Sequence, residues 1–251
     1  MTSFLLPAMP RRGFRTLTAT QARLLLREPA SLVWLGLPVL LVVVFGNIPA
    51  FQTPAATLGG KRVIDVYVPT LAAMVPLFLA CTALPATMAG WREKDVLRRL
   101  SVSPVPASGM LAGLVTVIAG LALAGSAAIV AIGAIAFHVS TPASPGAVLS
   151  SFLLGGAAVL ALGLLIAARA RTQGAASAMG VPLMILNFFA TGLYFPVAQM
   201  PHLMQQVCQF IPFGAVTAAW SGQGPLWQHL LVLAGYTVGA GALAARTFRW
   251  E

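Results

Sequence analysis

The chain has 251 residues, of which 59% are hydrophobic and only 8% are charged, and its formal net charge is +10. A soluble domain contains about 25% charged residues, so this composition cannot supply a water-facing surface, and a soluble globular fold is excluded. The positive charge, which in a soluble chain would suggest nucleic-acid binding, is here typical of the loops that orient membrane helices. We therefore predict an all-α polytopic membrane protein with no nucleic-acid partner.

The first predicted element is an amphipathic helix, Thr16–Glu28, that ends before Pro29. Arg23 and Arg27 are four residues apart and share one face of this helix. A basic amphipathic helix lies in the membrane interface and does not cross the bilayer. We predict that residues 1–30 form a cytoplasmic and interfacial N-terminal segment. The side opposite the arginines carries Leu17, Leu24 and Leu25.

Apolar runs long enough to cross the membrane follow. About 20 residues span the ~30 Å hydrocarbon core as a helix, and the chain contains six such runs, so both termini lie on the same side. They form a transmembrane domain over residues 31–245, followed by a cytoplasmic tail of residues 246–251. The predicted spans are Ser31–Ile48, Val66–Gly90, Met110–Phe137, Ala147–Ala168, Ala176–Phe195 and Leu226–Ala245.

Lys and Arg residues are distributed unequally between the two sides that six spans define. Of the 15 in the chain, only Lys61 and Arg62 fall in the outer segments. All others lie in the terminal segments or in the loops after the second and fourth spans. Since basic loops stay in the cytoplasm, this distribution predicts that both termini are cytoplasmic.

A short polar stretch, Trp91–Pro106, connects the second and third spans. Within it, Glu93–Leu100 can form about two helical turns, with Val96, Leu97 and Leu100 on one face. Two interpretations remain open. The apolar face enters a cleft on a soluble cytoplasmic partner, or the segment is a solvated loop whose arginines contact anionic lipid headgroups.

The segment Phe195–Pro212, before the last span, is amphipathic and too short to cross the membrane. Its apolar residues recur with helical spacing, and its other side carries histidine and glutamine. We predict a re-entrant or surface helix at the outer interface, where protein or water satisfies its ends. The apolar positions are Met200, Leu203, Met204, Val207 and Ile211.

Small residues repeated every four positions allow close helix packing. Gly235 and Gly239 form one such pair in the sixth span, and Gly120, Ala124 and Ala128 form a series in the third. The pattern favours packing of these residues within the chain and leaves packing between two copies open.

Motifs that indicate catalysis are missing. The sequence has no HExxH zinc motif, no GxSxG nucleophile motif and no GxxxxGK[ST] phosphate loop. We predict no catalytic residue and no metal site, and any ATP that drives the protein must bind to another chain. Ionisable residues, which mark ion pathways, do not occur at the span centres, which disfavours an ion-coupled transporter.

Three groups of residues resemble the type-2 permeases of ATP-binding-cassette (ABC) transporters, particularly the bacterial drug-export branch. After the second span that family has the pattern E-[RK]-x-x-x-[LR]-[RL]-L-x-x-[ST]-P, which is similar to Glu93–Pro104. Asp95-Val96 departs from the Gly-Thr common in relatives. The other groups are Thr191–Pro196 with Met200-Pro201 and Pro212-Phe213, and the terminal Arg246–Glu251.

This resemblance implies a permease subunit of an ATP-driven exporter in the bacterial plasma membrane. Its substrate would be a drug, an antibiotic or a lipid-like amphiphile, with a role in antibiotic resistance. Two copies of the chain, or the chain with a paralogue, would pair with two cytoplasmic ABC ATPase subunits that hold ATP and Mg²⁺, and membrane lipid would surround them. No cofactor is expected in this chain.

The resemblance also assigns residues to roles. The coupling helix seated in the ATPase would comprise Glu93, Lys94, Val96, Leu97, Arg98, Arg99 and Leu100. The outer re-entrant segment would include Gly192, Phe195, Pro196, Met200, Pro201 and Pro212, and the interfacial helix carries Arg23 and Arg27. Candidate substrate-pathway residues, which a local hydrogen bond would equally explain, are Thr82, Asn187 and Thr191.

Two other functions remain open. A non-transporting membrane scaffold or immunity protein would bind a partner without ATP-dependent transport. An ion-coupled secondary transporter would transport in vesicles that lack any ATPase.

Overall fold

The computed structural model describes residues 11–27, 29–55, 60, 62–95, 107–140, 144–192 and 197–248. Within these ranges the chain is all-α and has no strand, as predicted. A π-helical turn, Leu79–Ala83, joins α4 to α5, and a 3-10 turn, Val197–Gln199, precedes α9. The α-helices are α1 (Arg11–Arg27), α2 (Pro29–Gly46), α3 (Pro49–Gln52), α4 (Val63–Phe78), α5 (Leu84–Glu93), α6 (Ala107–Phe137), α7 (Pro145–Arg169), α8 (Gln173–Ala190), α9 (His202–Phe210), α10 (Pro212–Ser221) and α11 (Leu226–Thr247).

Among the described residues, five helical stretches are long and apolar enough to cross a membrane: the joined α4–α5 helix, α6, α7, α8 and α11. They correspond to the second to sixth predicted spans. The first predicted span corresponds to α2, whose apolar part Leu35–Gly46 is shorter than a span. A crossing of the membrane by this first span, which would bring the total to six, therefore stays a prediction. The predicted end of the fifth span at Phe195 is wrong. α8 ends at Ala190, and Gly192 then turns the chain with a φ of 77°.

The joined α4–α5 helix, Val63–Glu93, is the centre of the fold. Of the residues in its most apolar stretch, 72% are buried, compared with 17% to 39% in the other four candidate spans. Helices α2, α6, α7 and α8 pack around it, and α11 packs along α7. A helix surrounded in this way needs apolar residues on every side, which explains why this span shows no polar face.

The central helix changes its hydrogen-bond pattern in the middle of the span. Across the π turn the N–H of Leu84 donates to the carbonyl oxygen of Leu79, and Pro85 has no N–H to donate. The carbonyl oxygen of Ala80 therefore lacks both the i+4 and the i+5 donor that a helix provides. The same proline removes the i+4 donor of Cys81.

The two carbonyls without their usual donors face glycine on the neighbouring helices. A Cβ atom added to Gly163 in α7 would lie 2.1 Å from the Ala80 oxygen, and one added to Gly180 in α8 would lie 1.9 Å from the Cys81 oxygen. Only a hydrogen atom fits at these positions, and a Cα–H can make a weak contact with a carbonyl oxygen. The π turn thus fixes how closely α7 and α8 approach the central helix.

The small-residue repeats predicted from sequence do not pack within the described chain. A Cβ added to Gly120, Gly235 or Gly239 would meet no atom within 4 Å, and all three residues are exposed. Packing within the chain is therefore wrong for these glycines, and packing between two copies stays a prediction. Glycines of the five candidate spans whose added Cβ would lie within 3 Å of another of these spans are Gly90, Gly125, Gly133, Gly163 and Gly180.

The N-terminal helix α1 packs against the beginning of α6. Gln21 is buried, and its Nε2 donates to the carbonyl oxygen of Met110 at 3.1 Å. Leu25, one turn later, is also buried, whereas Leu24 is 65% exposed. The predicted apolar side with Leu17, Leu24 and Leu25 is thus only partly buried, because adjacent residues on a helix point about 100° apart and Gln21 lies on the face that contains Leu25.

Candidate functional site

The ends of α5, α7 and α11 and the beginning of α8 meet at one end of the bundle, which we call the basic end. α1 packs near it through its contact with the start of α6. At the other end, Arg62 is the single Lys or Arg among the described residues. The cations of the basic end are Arg92, Lys94, Arg169, Arg171 and Arg246, and α1 adds Arg11, Arg12, Arg15, Arg23 and Arg27.

Arg92, near the end of α5, binds the C-terminus of α7. Its Nη1 donates to the carbonyl oxygen of Ala170 at 2.7 Å and also to that of Ala167. The last carbonyls of a helix have no partner within the helix and carry its negative partial charge, so a guanidinium suits this position. The Arg92 guanidinium also lies over the ring of Phe248, 5.4 Å from its centroid. One side chain thus connects α5, α7 and the end of α11.

Glu93, the last residue of α5, binds the N-terminus of α8. Its Oε1 accepts a hydrogen bond from the backbone N–H of Gln173 at 3.0 Å. The Thr172 hydroxyl accepts another from the N–H of Ala175 at 3.1 Å. An anion and a capping hydroxyl at a helix N-terminus both satisfy free N–H groups. The Gln173 side chain covers Gly90, where a Cβ would lie 2.4 Å from its Nε2.

The turn between α7 and α8 borders an open cleft of about 710 Å³. Three arginines and one glutamate give its lining an excess of positive charge. Beneath the turn, Ala89 of α5 packs in a small buried cluster with Ile166, Ala170 and Ala176. The cleft is lined by Arg92, Glu93, Ala168, Arg169, Ala170, Arg171, Thr172 and Thr247.

The predicted coupling helix begins differently in the structure. Glu93 and Lys94 belong to the end of α5, and Asp95 then adopts a φ of 51°, a conformation that ends a helix. A helix starting at Glu93 is therefore wrong, because these residues finish the preceding span. The remaining predicted coupling residues, Val96, Leu97, Arg98, Arg99 and Leu100, lie outside the described residues.

The opposite end of the bundle has its own polar connection. Arg62 and Asp65 form an ion pair at 2.8 Å at the start of α4. Arg62 Nη2 donates to the carbonyl oxygen of His138 at 2.7 Å, and Asp65 Oδ1 accepts from the N–H of Ser140 at 3.1 Å. Hydrogen bonding to Asp65 raises the pKa of Arg62. This pair fastens the beginning of α4 to the end of α6.

A family model described as "ABC-2 family transporter protein" matches residues 47–246. The chain belongs to the ABC-2 transporter family. The matched range covers the five apolar helices except Thr247, the last residue of α11, and it covers the basic end except α1, Thr247 and Phe248. No curated protein matches the chain.

Members of the ABC-2 family are membrane subunits of transporters, are generally not catalytic themselves, and normally pair with an ABC ATPase subunit. With five apolar helices, this member is a multi-pass membrane protein, which in bacteria lies in the plasma membrane. No group of three or more metal-ligating side chains occurs within the described ranges.

The segment of this ABC-2 protein that was predicted to lie at the outer interface contains two short helices, α9 and α10. Pro201 precedes α9, and Pro212 is the first residue of α10, where a missing N–H costs nothing. Met200 is buried with Cys208 and Ile211. The predicted apolar stripe divides here, since its two ends are buried while its middle residues Leu203, Met204 and Val207 are exposed. Phe195 and Pro196 lie outside the described residues.

The three candidate pathway residues all form hydrogen bonds with backbone groups. Thr82 donates to the carbonyl oxygen of Phe78 at 2.6 Å, and Thr191 to that of Phe188 at 2.7 Å. Asn187 is fully buried, and its Oδ1 accepts from the N–H of Phe213 at 3.1 Å while its amide donates to Leu183. These bonds give each side chain a structural role, and contact with substrate stays a prediction.

Sequence reasoning missed the role of Arg92 and the part played by the α7–α8 turn. Arg92 is adjacent to the predicted coupling residues, but it donates to backbone carbonyl oxygens, and Glu93 accepts from a backbone N–H. Because every residue type has these backbone groups, the sequence gives no indication of which residues Arg92 and Glu93 contact. Thr172 before a helical run was the one available cue, since threonine is a common N-cap.

Proposed function

We propose that the chain is the permease subunit of an ATP-driven exporter whose ATP and Mg²⁺ bind to a separate ATPase. Two permease copies, or this chain and a paralogue, pair with two ATPase subunits. The substrate is a hydrophobic or amphiphilic molecule, such as a drug or a lipid-like compound, that leaves the cytoplasm or the inner leaflet. Residues 96–106 provide the contact with the ATPase.

The observation that carries the proposal is the position of this polar segment in a chain of the ABC-2 family. It leaves α5 directly after Arg92 and Glu93, and it returns to the bundle at the start of α6. Since basic residues collect on the cytoplasmic side of membrane proteins, we assign the basic end to the cytoplasm. That orientation gives a soluble ATPase access to the segment and to the neighbouring α7–α8 turn.

Three further features support an exporter driven by a partner. The short helices α9 and α10 suit a re-entrant pair at the outer face. α1 suits an interfacial helix, since Arg23 and Arg27 are exposed while Gln21 is buried. Ionisable side chains within the described part of the spans lie only near their ends, which favours an ATP-driven mechanism over ion coupling.

Co-purification with the ATPase tests the proposal. The double variant Leu97→Asp/Leu100→Asp places charge on the predicted apolar face and should abolish ATPase binding. A matched control, Leu203→Asp/Val207→Asp on exposed positions of α9, makes the same chemical change at the other end of the bundle and should leave binding intact. Retained binding by the Leu97/Leu100 variant would falsify the assignment of the coupling segment.

ATP-dependent transport separates the proposal from its alternatives. In proteoliposomes with the ATPase, a panel of fluorescent amphiphiles should move only when ATP is supplied. A complex that binds the ATPase but moves none of them would indicate a scaffold or immunity protein. Movement in vesicles that contain the permease alone would indicate an ion-coupled carrier.

A further inference from the structure

Two consecutive side chains at the end of α5 hold both ends of the same turn. Arg92 binds the last carbonyls of α7, and Glu93 binds the first N–H of α8. The turn between them, Ala170–Thr172, is thereby fixed to the point where the chain enters residues 96–106. α5 also packs extensively against α7 and α8 and only marginally against α6.

The chemistry of each contact suits its position. Arg92 is only partly exposed, and its planar guanidinium reaches two carbonyls while its face lies on Phe248. A lysine ammonium could donate to the same two carbonyls, but it has no planar face to lie on Phe248. Glu93 is exposed and needs only an acceptor oxygen at the α8 N-terminus, so an uncharged amide oxygen could replace its carboxylate there.

We propose that Arg92 and Glu93 are positioning residues that make α7 and α8 follow any displacement of residues 96–106. The inference rests on the proposed function in one respect, namely that the ATPase causes this displacement. The physical connection itself is independent of any partner. Glu93 thus acts through the α7–α8 turn and does not contribute its charge to the ATPase interface.

The first experiment uses the permease alone in lipid nanodiscs. Spin labels at Lys94→Cys and Gly174→Cys report how firmly the turn is held, because Lys94 is exposed and nothing lies within 4 Å of a Cβ at Gly174. The native Cys81 and Cys208 are buried and stay in place. A protein without introduced cysteines corrects for any labelling of those two.

Glu93→Ala should raise roughly three-fold the fraction of molecules in which the α7–α8 turn is detached from α5. The effect is small because an exposed hydrogen bond contributes little to stability. Glu93→Gln should leave the spectrum unchanged, since its amide oxygen accepts the same bond. Arg92→Gln should raise the detached fraction roughly ten-fold. Arg92→Lys should fall between Arg92→Gln and the parent protein.

Arg169→Gln and Arg171→Gln are the matched controls. Each removes one positive charge from the same cleft, yet neither arginine bonds to another described residue. Both should give the parent spectrum. If they detach the turn as strongly as Arg92→Gln, the charge of the cleft holds the turn, for example through an anionic lipid, and the proposal is overturned. An unchanged spectrum in both Glu93→Ala and Arg92→Gln also overturns it.

The second experiment adds the ATPase and compares nucleotide-free with ATP–vanadate-trapped complexes. In the parent complex, the reaction rate of a cysteine at Gly174 with a maleimide should change on trapping. In Glu93→Ala/Arg92→Gln, ATPase binding should persist within about two-fold while this change is lost. If the parent permease binds no ATPase, the proposed function is wrong. The nanodisc experiment then still tests whether Arg92 and Glu93 hold the α7–α8 turn to α5. A double variant that keeps the full change refutes the transmitting role.

Discussion

Replacing Gly180 with alanine tests the packing of α8 on the central helix. The new Cβ would lie 1.9 Å from the carbonyl oxygen of Cys81, whereas carbon–oxygen contacts are normally ~3.3 Å or longer. α8 and the central helix must therefore separate by roughly 1.4 Å along the line that joins the new Cβ to the Cys81 oxygen. Overpacking of this kind costs about 1–3 kcal/mol. Gly163→Ala, with its Cβ 2.1 Å from the Ala80 oxygen, should behave in the same way.

Gly239→Ala is the matched control, since it makes the same change in an exposed helix position with no atom within 4 Å. Alanine favours a helix over glycine by up to ~1 kcal/mol, so this variant should be neutral or slightly stabilised. The difference between the two variants is then about 1–4 kcal/mol in the free energy of unfolding.

Thermal unfolding in detergent measures this difference, followed with a dye that fluoresces on reacting with thiols. Cys81 and Cys208 are free and buried, so the dye reports their exposure on unfolding. With roughly 2–4 °C per kcal/mol for a chain of this size, Gly180→Ala should unfold at least about 2 °C below Gly239→Ala. Equal midpoints, or a higher midpoint for Gly180→Ala, would refute the close contact between α8 and the π turn.

Three further substitutions can be followed in the same unfolding assay. Asn187→Leu leaves the buried N–H of Phe213 without its acceptor and should cost about 1–3 kcal/mol; a variant as stable as the parent would exclude this bond as a fastener of α10. Arg62→Gln should lower the unfolding midpoint more than Asp65→Asn, because Arg62 also donates to two carbonyls of α6 and the following turn; the reverse order would contradict this geometry. Gly192→Ala, at a φ of 77°, should cost about 1–2 kcal/mol, and an unchanged midpoint would indicate that the turn adopts another conformation.

Hydropathy was sufficient to predict five of the apolar helices and their order. A membrane span must be long and apolar wherever it sits in the bundle, so local composition carries the information. The end of α8 was misplaced because Leu193–Phe195 is as apolar as a span, and the turn at Gly192 depends on a backbone angle rather than on polarity.

The contacts that determine the packing were beyond sequence reasoning. Gly235 and Gly239 form the GxxxG pair associated with close helix approach, yet they are exposed, whereas Gly163 and Gly180 belong to no GxxxG pair and meet a neighbouring backbone. Their importance arises from Pro85 on a third helix, and only the fold brings these residues together. In the same way, the sequence indicated the polar segment after α5 but not the turn to which Arg92 and Glu93 attach it.

The fastening of α4 to α6 by Arg62 has a geometric consequence. At the basic end, α6 packs with α1 through Gln21, whereas α5 packs with α7 and α8. The joined α4–α5 helix and α6 are thus held together at the end of the bundle that is far from residues 96–106. The two helices diverge towards the basic end. α6 has 31 residues and is roughly 46 Å long at ~1.5 Å per residue. A rotation of α6 by about 10° about the Arg62 contact would therefore displace its far end by roughly 8 Å.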